Sequence, residues 1–293
     1  MPEMIFDVGI AAGMLKKASD FNTRALSSIV STALGSFTLL SRNGNPEPNS
    51  FWDRVSQTGF NAIGLKNQSL VTFLEEDAPL LRKLFVETEA QADVSLAPTE
   101  KGELRNMCHV LQKHKSAFPI RFVEVNAACP NHRKGENLQP VLAYDPIAVD
   151  ELLMELKDCP YPVSLKIAPD TPEGTLFEIV KLCIKYSVSE IVSGNTRGAE
   201  AVWNGKSILS VPRGGMSGAP LFDNAVEQVA TLKSIITGQK SLIKVRGIGG
   251  IFIPEDIAIM RNAGADSVSV ASLFYFEGGW DAVADLSTSF NLH

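Results

Sequence analysis

The sequence has few of the features that mark membrane, secreted or metal-binding proteins. Its 293 residues include four cysteines, none with the Cys-x-x-Cys spacing typical of zinc or iron–sulfur sites. No apolar run reaches the ~20 residues that a membrane-spanning helix requires. At Met1-Pro2-Glu3-Met4 there is no basic region ahead of an apolar run, as a signal peptide would have. We therefore expect a cytoplasmic protein with no metal site, no disulfide framework and no membrane anchor.

The chain also lacks an excess of positive charge. Lys and Arg number 27 against 33 Asp and Glu, so the formal charge is −6, and there are no basic runs. Such a chain is a poor candidate for binding nucleic acid or an anionic membrane surface. With 45% hydrophobic residues, its composition is that of a globular protein rather than a disordered or fibrous one.

Short segments rich in β-branched and apolar residues alternate with helical patterns along the whole chain. Several of these segments are apolar on both faces, as buried parallel strands usually are. Eight alternating units predict an α/β fold, a single (β/α)8 TIM barrel domain spanning residues 1–293. The alternative is an open doubly wound sheet, but the chain has no glycine-rich first turn of the kind that binds dinucleotides. The predicted strands are Phe6–Ile10, Ile29–Leu34, Asp93–Ala97, Arg121–Val125, Val163–Ile167, Ile191–Ser193, Leu242–Arg246 and Ser267–Val270.

Helical periodicity and loop composition indicate where the functional face of such a barrel lies. Pro254 stands where a first helical residue belongs, ahead of two acidic residues. Segments 40–70 and 131–145, rich in Asn, Pro and Gly, follow the second and fourth predicted strands. We expect them as long loops at the C-terminal face of the barrel, where active sites of this fold are built. The predicted helices are Glu100–His114, Ile147–Leu156, Gly174–Tyr186 and Ala225–Ile236.

The stretch from Glu124 to Asn131 carries the clearest chemical signal. It leaves the fourth predicted strand and reads Glu-Val-Asn-Ala-Ala-Cys-Pro-Asn. The Cys129 thiol, with the carboxamides of Asn126 and Asn131 on either side, has the character of a base flanked by hydrogen-bonding groups. The alternative, from the residues alone, is a small buried cysteine in a turn formed by Pro130 and Asn131.

This stretch resembles the Asn-x-x-(Cys or Ser)-Pro-Asn segment of dihydroorotate dehydrogenases, and the likeness continues in family order along almost the whole chain. Gly44-Asn45-Pro46-Glu47-Pro48 is similar to the family's Gly-Asn-Pro-x-Pro, and Gly64-Leu65-Lys66-Asn67 to its Gly-Leu-Pro-Asn, with Lys66 in place of proline. Leu142-Ala143-Tyr144-Asp145 resembles the sequence after the active-site loop in the soluble, fumarate-linked class 1A enzymes. The remaining similar segments are Lys166–Asp170, Asn195-Thr196, Gly214–Gly218 and Gly249–Ile251.

The resemblance implies an FMN-binding (β/α)8 barrel that oxidises dihydroorotate to orotate in pyrimidine biosynthesis. In that reaction the base, here Cys129, removes the C5 proton of the substrate while hydride passes from C6 to flavin N5. An unperturbed thiol titrates near ~8.5, so it suits this role at mildly basic pH or when activated. The resemblance also implies a homodimer, with fumarate as a soluble electron acceptor.

The cofactor-binding residues follow from the same resemblance. Backbone N–H groups at Gly249, Gly250, Ala271 and Ser272, after the seventh and eighth strands, would bind the phosphate. Lys166 resembles the family lysine that stabilises the reduced flavin near N1–O2. The alternative for the glycines is an ordinary tight turn, although their position after the seventh strand of a barrel favours phosphate binding. The alternative for Lys166 is a surface lysine, although an unpaired cation in an apolar strand is costly. The other implied positions are Ala12, Gly13, Ser36, Asn126 and Gly218.

Substrate binding is implied for a set of carboxamides and one hydroxyl. Amides donate and accept hydrogen bonds around a planar pyrimidine carboxylate without adding charge. Any single Asn taken alone is interpreted as a turn residue. The residues that resemble the family's orotate site are Asn67, Asn126, Asn131, Asn195 and Thr196.

The substrate-binding cation departs from the class 1A pattern. Those enzymes usually carry a lysine near the end of the second strand, where this chain has Gly35-Ser36. Ala11–Lys16 instead resembles the Ala-Ala-Gly-x-Asp-Lys of the membrane-linked class 2 enzymes, which makes Lys16 a candidate ligand of the orotate carboxylate. The alternative is that Lys16 and Lys17 are two solvated lysines. The loop from His132 to Pro140 is longer than in class 1A and carries three basic groups.

Two other functions stay open at this point. One is a flavin barrel that acts on another dihydropyrimidine-like cyclic amide, since Lys66, Arg197 and the rebuilt loop depart from the family pattern. The other is a degenerate family member that binds flavin without turnover. The sequence lacks the N-terminal helical extension through which class 2 enzymes reach quinone, and we expect no membrane docking.

Overall fold

Eight parallel strands form a closed barrel in the computed structural model, which describes residues 5–22, 26, 29, 31–131, 133–134 and 137–292, with the side chains of 133–134 and 137–138 excepted. Each strand pairs with the next along the chain, and the last pairs with the first. This closure confirms the predicted TIM barrel and excludes the open sheet. The strands are β1 (Asp7–Leu15), β2 (Ser31–Phe37), β3 (Gln91–Leu96), β4 (Ile120–Asn126), β5 (Val163–Ile167), β6 (Glu190–Ser193), β7 (Lys244–Gly247) and β8 (Ser267–Val270).

The first strand is longer than predicted. It was expected to end at Ile10 but continues to Leu15, and its pairing with β2 shifts register between these two residues. Gly13 has φ +111°, a backbone conformation that glycine adopts at little cost, and it lies within this irregular stretch. Local hydrophobic alternation does not reveal such an irregularity. Lys16 therefore follows β1 directly, at the C-terminal end of the barrel.

Helices cover the outside of the barrel. The predicted helix from Glu100 begins instead at Glu103, because the Glu103 carboxylate accepts the N–H groups of Thr99 (2.6 Å) and Glu100 (3.1 Å) and so fixes a turn ahead of the helix. No helix within the described ranges is long and apolar enough to cross a membrane. The helices are α1 (Ala78–Thr88), α2 (Glu103–Lys113), α3 (Pro146–Met154), α4 (Glu173–Lys185), α5 (Phe222–Gly238), α6 (Pro254–Asn262, starting at the predicted proline), α7 (Ser272–Phe276) and α8 (Gly279–Asn291).

An ion network fills the barrel interior at its N-terminal end. Arg246 on β7 lies 2.9 Å from Asp7 on β1 and 3.2 Å from Glu190 on β6. Arg121 on β4 lies 3.0 Å from Asp7 and 2.6 Å from Asp93 on β3. Burial opposes ionisation of Asp7, yet Arg246 and Arg121 together hold its pKa below the ordinary value. The cavity of the barrel is at the opposite end.

A small antiparallel sheet, the cap sheet, lies over that opposite end. Its four strands come from the segments that follow β2 and β6, in the order Arg197–Glu200, Arg213–Gly218, Thr58–Asn61 and Ser50–Asp53. The expectation of a long loop over residues 40–70 is therefore wrong in part. Within segment 40–70, Phe60 and Ala62 form an apolar cluster with Ala201 and Leu209, separate from the main core. Packing between distant segments, and not local periodicity, stabilises these short strands.

Candidate functional site

A cavity with about 990 Å3 of empty space, partly open to solvent, lies at the C-terminal end of the barrel beneath the cap sheet. This is the end at which (β/α)8 barrels build their active sites. The walls come from the ends of β1, β2 and β4 to β8 and from two cap-sheet strands. The cavity brings together nearly all the residues predicted from the sequence: Ala12, Gly13, Lys16, Ser36, Asn126, Cys129, Asn131, Lys166, Asn195, Thr196, Gly218, Gly249, Gly250, Ala271 and Ser272.

The charge of the cavity wall is positive although the chain is acidic. Lys16 and Lys166 both line it, and the described lining residues include no aspartate or glutamate. Their hydrogen-bonding groups are otherwise amides, hydroxyls and backbone groups. Such a wall suits ligands that carry carboxylate or phosphate.

Two adjacent glycines that line the cavity have backbone conformations that few other residues adopt. Gly249 and Gly250 follow β7 with φ values of +143° and +65°. A Cβ added to Gly249 would lie 2.8 Å from the Ala225 Cβ, and one added to Gly250 would lie 2.9 Å from the Phe222 Cβ. Both positions therefore require glycine, the backbone of the pair packs against the start of α5, and both residues line the cavity.

A row of hydrogen bonds fixes the carboxamides at the centre of the cavity. Asn126 Nδ2 donates to Ser36 Oγ (2.9 Å). Its Oδ1 accepts from the Ala128 N–H (3.1 Å) and from Asn195 Nδ2 (3.3 Å). Asn195 Oδ1 in turn accepts from the Thr196 N–H at 2.8 Å. These bonds orient both amides before any ligand binds.

Lys166 is buried and faces a buried carboxylate. Its residue is 3% exposed, so it is not the surface lysine of the alternative interpretation. The Nζ atom lies 3.8 Å from Glu124 Oε1 on the neighbouring strand β4, and that oxygen has no hydrogen-bond partner. Sequence reasoning did not assign Glu124 to the site, although a carboxylate inside an apolar strand was a signal for it.

Lys16 is half-buried in the wall on the β1 side. Its Nζ donates to the Lys66 carbonyl at 2.6 Å, whereas the neighbouring Lys17 is exposed. Burial lowers the pKa of Lys16 below its ordinary value, while Asp20 and Cys129 act in the opposite direction. Lys16 therefore lies in the cavity wall and is not one of two fully solvated lysines, while its role toward a ligand stays a prediction.

Cys129 and Asn131 lie on the loop after β4, and this loop contacts the cap sheet. Asn131 Nδ2 donates to the Asn61 backbone carbonyl (2.9 Å) and to its side-chain oxygen (3.1 Å). Cys129 is half-buried, unlike Cys108 and Cys183, which are fully buried in the core. Much of the predicted basic loop from 132 to 140 lies outside the described residues.

Asn67 is the one predicted residue that the structure does not place on the cavity wall. Its Nδ2 donates to Thr38 Oγ1 (2.8 Å) and to the Leu65 carbonyl (2.7 Å), and its Oδ1 accepts from the Ser69 N–H (2.8 Å). The amide thus shapes the loop that carries Leu65, which lines the cavity. Sequence reasoning missed Asn61, another lining residue, because it did not predict the cap strand on which Asn61 lies.

Three comparisons relate this chain to known proteins. The sequence profile of the dihydroorotate dehydrogenase family matches residues 4–286. A relative from Methylobacillus flagellatus, named dihydroorotate dehydrogenase (quinone), is 28% identical over 288 residues that cover 92% of this chain and 80% of that protein. One of the same name from Synechococcus elongatus is 29% identical, covering 84% of this chain and 65% of that protein. The crystal structure of DHODH in complex with ferulenol from Eimeria tenella has a TM-score of 0.77 at 17% identity, covering 97% of this chain and 80% of that one, and supports the fold alone.

Proposed function

The chain belongs to the dihydroorotate dehydrogenase family, and we propose that it oxidises dihydroorotate to orotate in pyrimidine biosynthesis. The observation that carries this proposal is the shared cavity at the C-terminal end of the barrel. Cys129, Lys16 and Lys166 line this cavity together with three of the predicted carboxamides. The two cations and the absence of carboxylates among the described lining residues fit an anionic substrate and a phosphate-bearing cofactor.

The residues at one end of the cavity fit FMN. The glycine pair Gly249-Gly250 leaves the backbone open to a phosphate, with Ala271-Ser272 beside it at the start of α7. When bound, FMN supplies the acceptor for the hydride that leaves the substrate. Lys166, Ser36 and Asn126 would hold the flavin ring, and the Lys166 ammonium group would stabilise negative charge on it. Ala12, Gly13 and Gly218 complete the proposed cofactor-binding set.

The substrate is held by one cation and a ring of neutral groups. Lys16 binds the carboxylate of dihydroorotate, and the amides of Asn126, Asn131 and Asn195, with Thr196, bind the ring edges. Because the hydrogen bond between Asn126 and Asn195 and their bonds to Ser36, Ala128 and Thr196 already fix both amides, little rotamer freedom is lost on binding. Asn67 is off the cavity wall, so its proposed effect on substrate binding is exerted through the loop that its hydrogen bonds stabilise.

Cys129 is the proposed general base. Its Sγ removes the proton from C5 of dihydroorotate, and the loop that carries it is fixed by the Asn131 bonds to the cap sheet. A positioned base of this kind typically contributes ~10²–10⁴ to the rate.

The electron acceptor is proposed in two forms, each with its own support. The class 1A resemblance of Leu142–Asp145 implies fumarate and a cytoplasmic homodimer, whereas the relatives from Methylobacillus flagellatus and Synechococcus elongatus carry quinone in their names. Anaerobically reduced protein mixed with fumarate, or with a short-chain quinone, separates the two by the rate of flavin reoxidation. Sedimentation velocity tests the dimer.

Anaerobic titration with dihydroorotate tests the function as a whole. We expect the purified protein to be yellow, to contain one non-covalent FMN and to bleach on stoichiometric addition of dihydroorotate. Bleaching by another dihydropyrimidine alone would favour a different cyclic amide as substrate. A yellow protein that no such compound bleaches would be a flavin-binding member without turnover, and the proposal would be wrong.

A further inference from the structure

The segment that carries Lys16 is attached at two points to a segment 50 residues away in the sequence. Lys16 Nζ donates to the Lys66 carbonyl (2.6 Å), and the Gln68 side-chain amide donates to the Lys16 carbonyl (3.1 Å). The side chain and the backbone of Lys16 are therefore held by the same stretch of chain. These bonds fix both the position of the lysine and the direction of its side chain.

Asp77 joins the two segments a third time. Its Oδ2 accepts from Gln68 Nε2 at 2.5 Å, and its Oδ1 accepts from the Ala18 N–H at 2.6 Å. Both N–H groups of the Gln68 amide have an acceptor, one on Lys16 and one on Asp77. Asp77 is the last residue of the π-helical stretch Phe73–Asp77, and stretches of this type often mark functional sites.

Holding Lys16 in this way has a physical consequence for ligand binding. A lysine loses rotamer freedom when it is ordered, and a lysine that is ordered in advance does not incur this entropic cost on binding. After donating one N–H to the Lys66 carbonyl, Nζ retains two donors. Since Lys16 lines the cavity, those donors are available to a carboxylate there.

We propose that Gln68 and Asp77 form a clamp that positions Lys16 for the substrate carboxylate, so that both are positioning residues for substrate affinity. The proposal rests on the proposed function, because it assigns the carboxylate of dihydroorotate to Lys16. Neither Gln68 nor Asp77 lines the cavity. Their effect on binding is therefore exerted through Lys16.

The first test compares substrate affinity with turnover in the FMN-loaded protein. Gln68→Ala should raise the KM for dihydroorotate and the Kd for orotate about tenfold, the effect of about one hydrogen bond to a charged group. The kcat and the FMN content should stay within about twofold of wild type. Glu76→Ala is the matched control, because Glu76 is an exposed acidic residue next to Asp77, and it should leave all four quantities unchanged.

A double-mutant cycle separates positioning from a general structural role. If Gln68 acts through Lys16, the variant carrying both Gln68→Ala and Lys16→Ala binds orotate no more weakly than Lys16→Ala alone. Losses that add would show that Gln68 shapes the cavity independently of Lys16 and would overturn the proposal.

Hydrogen exchange of the peptide that contains residues 16–20 provides a readout that needs no substrate. Asp77→Ala should accelerate exchange of the Ala18 amide at least about tenfold, while exchange in the α4 peptide (Glu173–Lys185) stays unchanged and Glu76→Ala exchanges like wild type. Unchanged protection would refute the clamp. Failure of wild-type protein to bind orotate would refute the proposed function instead, and the exchange experiment would still decide whether the clamp exists.

Discussion

Replacing Cys129 with alanine removes the proposed base while leaving the cavity around it in place. Cys129 is half-buried on a loop, so loss of its Sγ opens no enclosed space in the core. The bonds that order the cavity, from Asn126 to Ser36 (2.9 Å) and from Asn131 to Asn61 (2.9 Å), do not use the thiol. We therefore expect Kd values for FMN and orotate within about twofold of wild type, the effect of ~0.5 kcal/mol.

The chemical step should respond very differently. Loss of a positioned base lowers the rate by ~10²–10⁴, which corresponds to an increase of about 3–5 kcal/mol in the activation free energy of the reaction. Cys129→Ala should therefore bleach its flavin at least about a hundredfold more slowly with dihydroorotate. Cys129→Ser should lie between the two, with its pH optimum moved upward because a hydroxyl is the weaker acid. Anaerobic stopped-flow absorbance from about pH 6 to 10 measures both effects.

Cys183→Ala is the matched control for this experiment. The same Sγ is removed, but Cys183 is fully buried on α4, and burial raises the pKa of its thiol. This variant should be less stable yet bleach at the wild-type rate. If Cys129→Ala bleaches as fast as wild type, Cys129 is a structural thiol and another group acts as the base.

Three further predictions follow from individual contacts. Lys16→Ala should raise the KM for dihydroorotate at least about tenfold with unchanged flavin content, because a hydrogen bond to a charged group contributes ~1.5–3 kcal/mol. An unchanged KM in steady-state assays would show that Lys16 does not bind the substrate. Gly250→Ala should weaken FMN binding at least about tenfold in fluorescence titrations. The new Cβ would lie 2.9 Å from the Phe222 Cβ, and the φ of +65° at this position disfavours alanine. Full affinity for FMN would contradict the phosphate assignment. Arg246→Met should lower the free energy of unfolding in urea by about 3–5 kcal/mol, because the buried Glu190 loses its ion-pair partner and Asp7 retains only Arg121. The folded pKa of Asp7 is below its ordinary value of 3.8, so its stabilising effect is present above about pH 4 and is lost as pH falls through the folded pKa. The variant should consequently lose less stability than wild type on acidification, and equal acid sensitivity would argue against this ion pair.

The sequence by itself determined the barrel and most of the residues on its cavity wall. Strand periodicity and proline placement act over a few residues, and for this reason all eight strands and the start of α6 at Pro254 were predictable. The resemblance to the dihydroorotate dehydrogenase family singled out residues that follow strand ends, and the parallel strands of a barrel bring those ends together at one face. Cys129, Asn126 and Lys166 therefore met in space as their order along the chain implied.

Only the tertiary structure decided how these residues are supported. The cap strand Thr58–Asn61 pairs with Arg213–Gly218, far away in the sequence, and neither segment has a periodicity of its own that predicts the pairing. The side-chain hydrogen bonds of Asn67 within its own loop, and those from Gln68 to Lys16 and Asp77, were likewise not predictable from the sequence. A polar side chain forms hydrogen bonds with groups that folding brings near it, and the local sequence does not determine which groups these are.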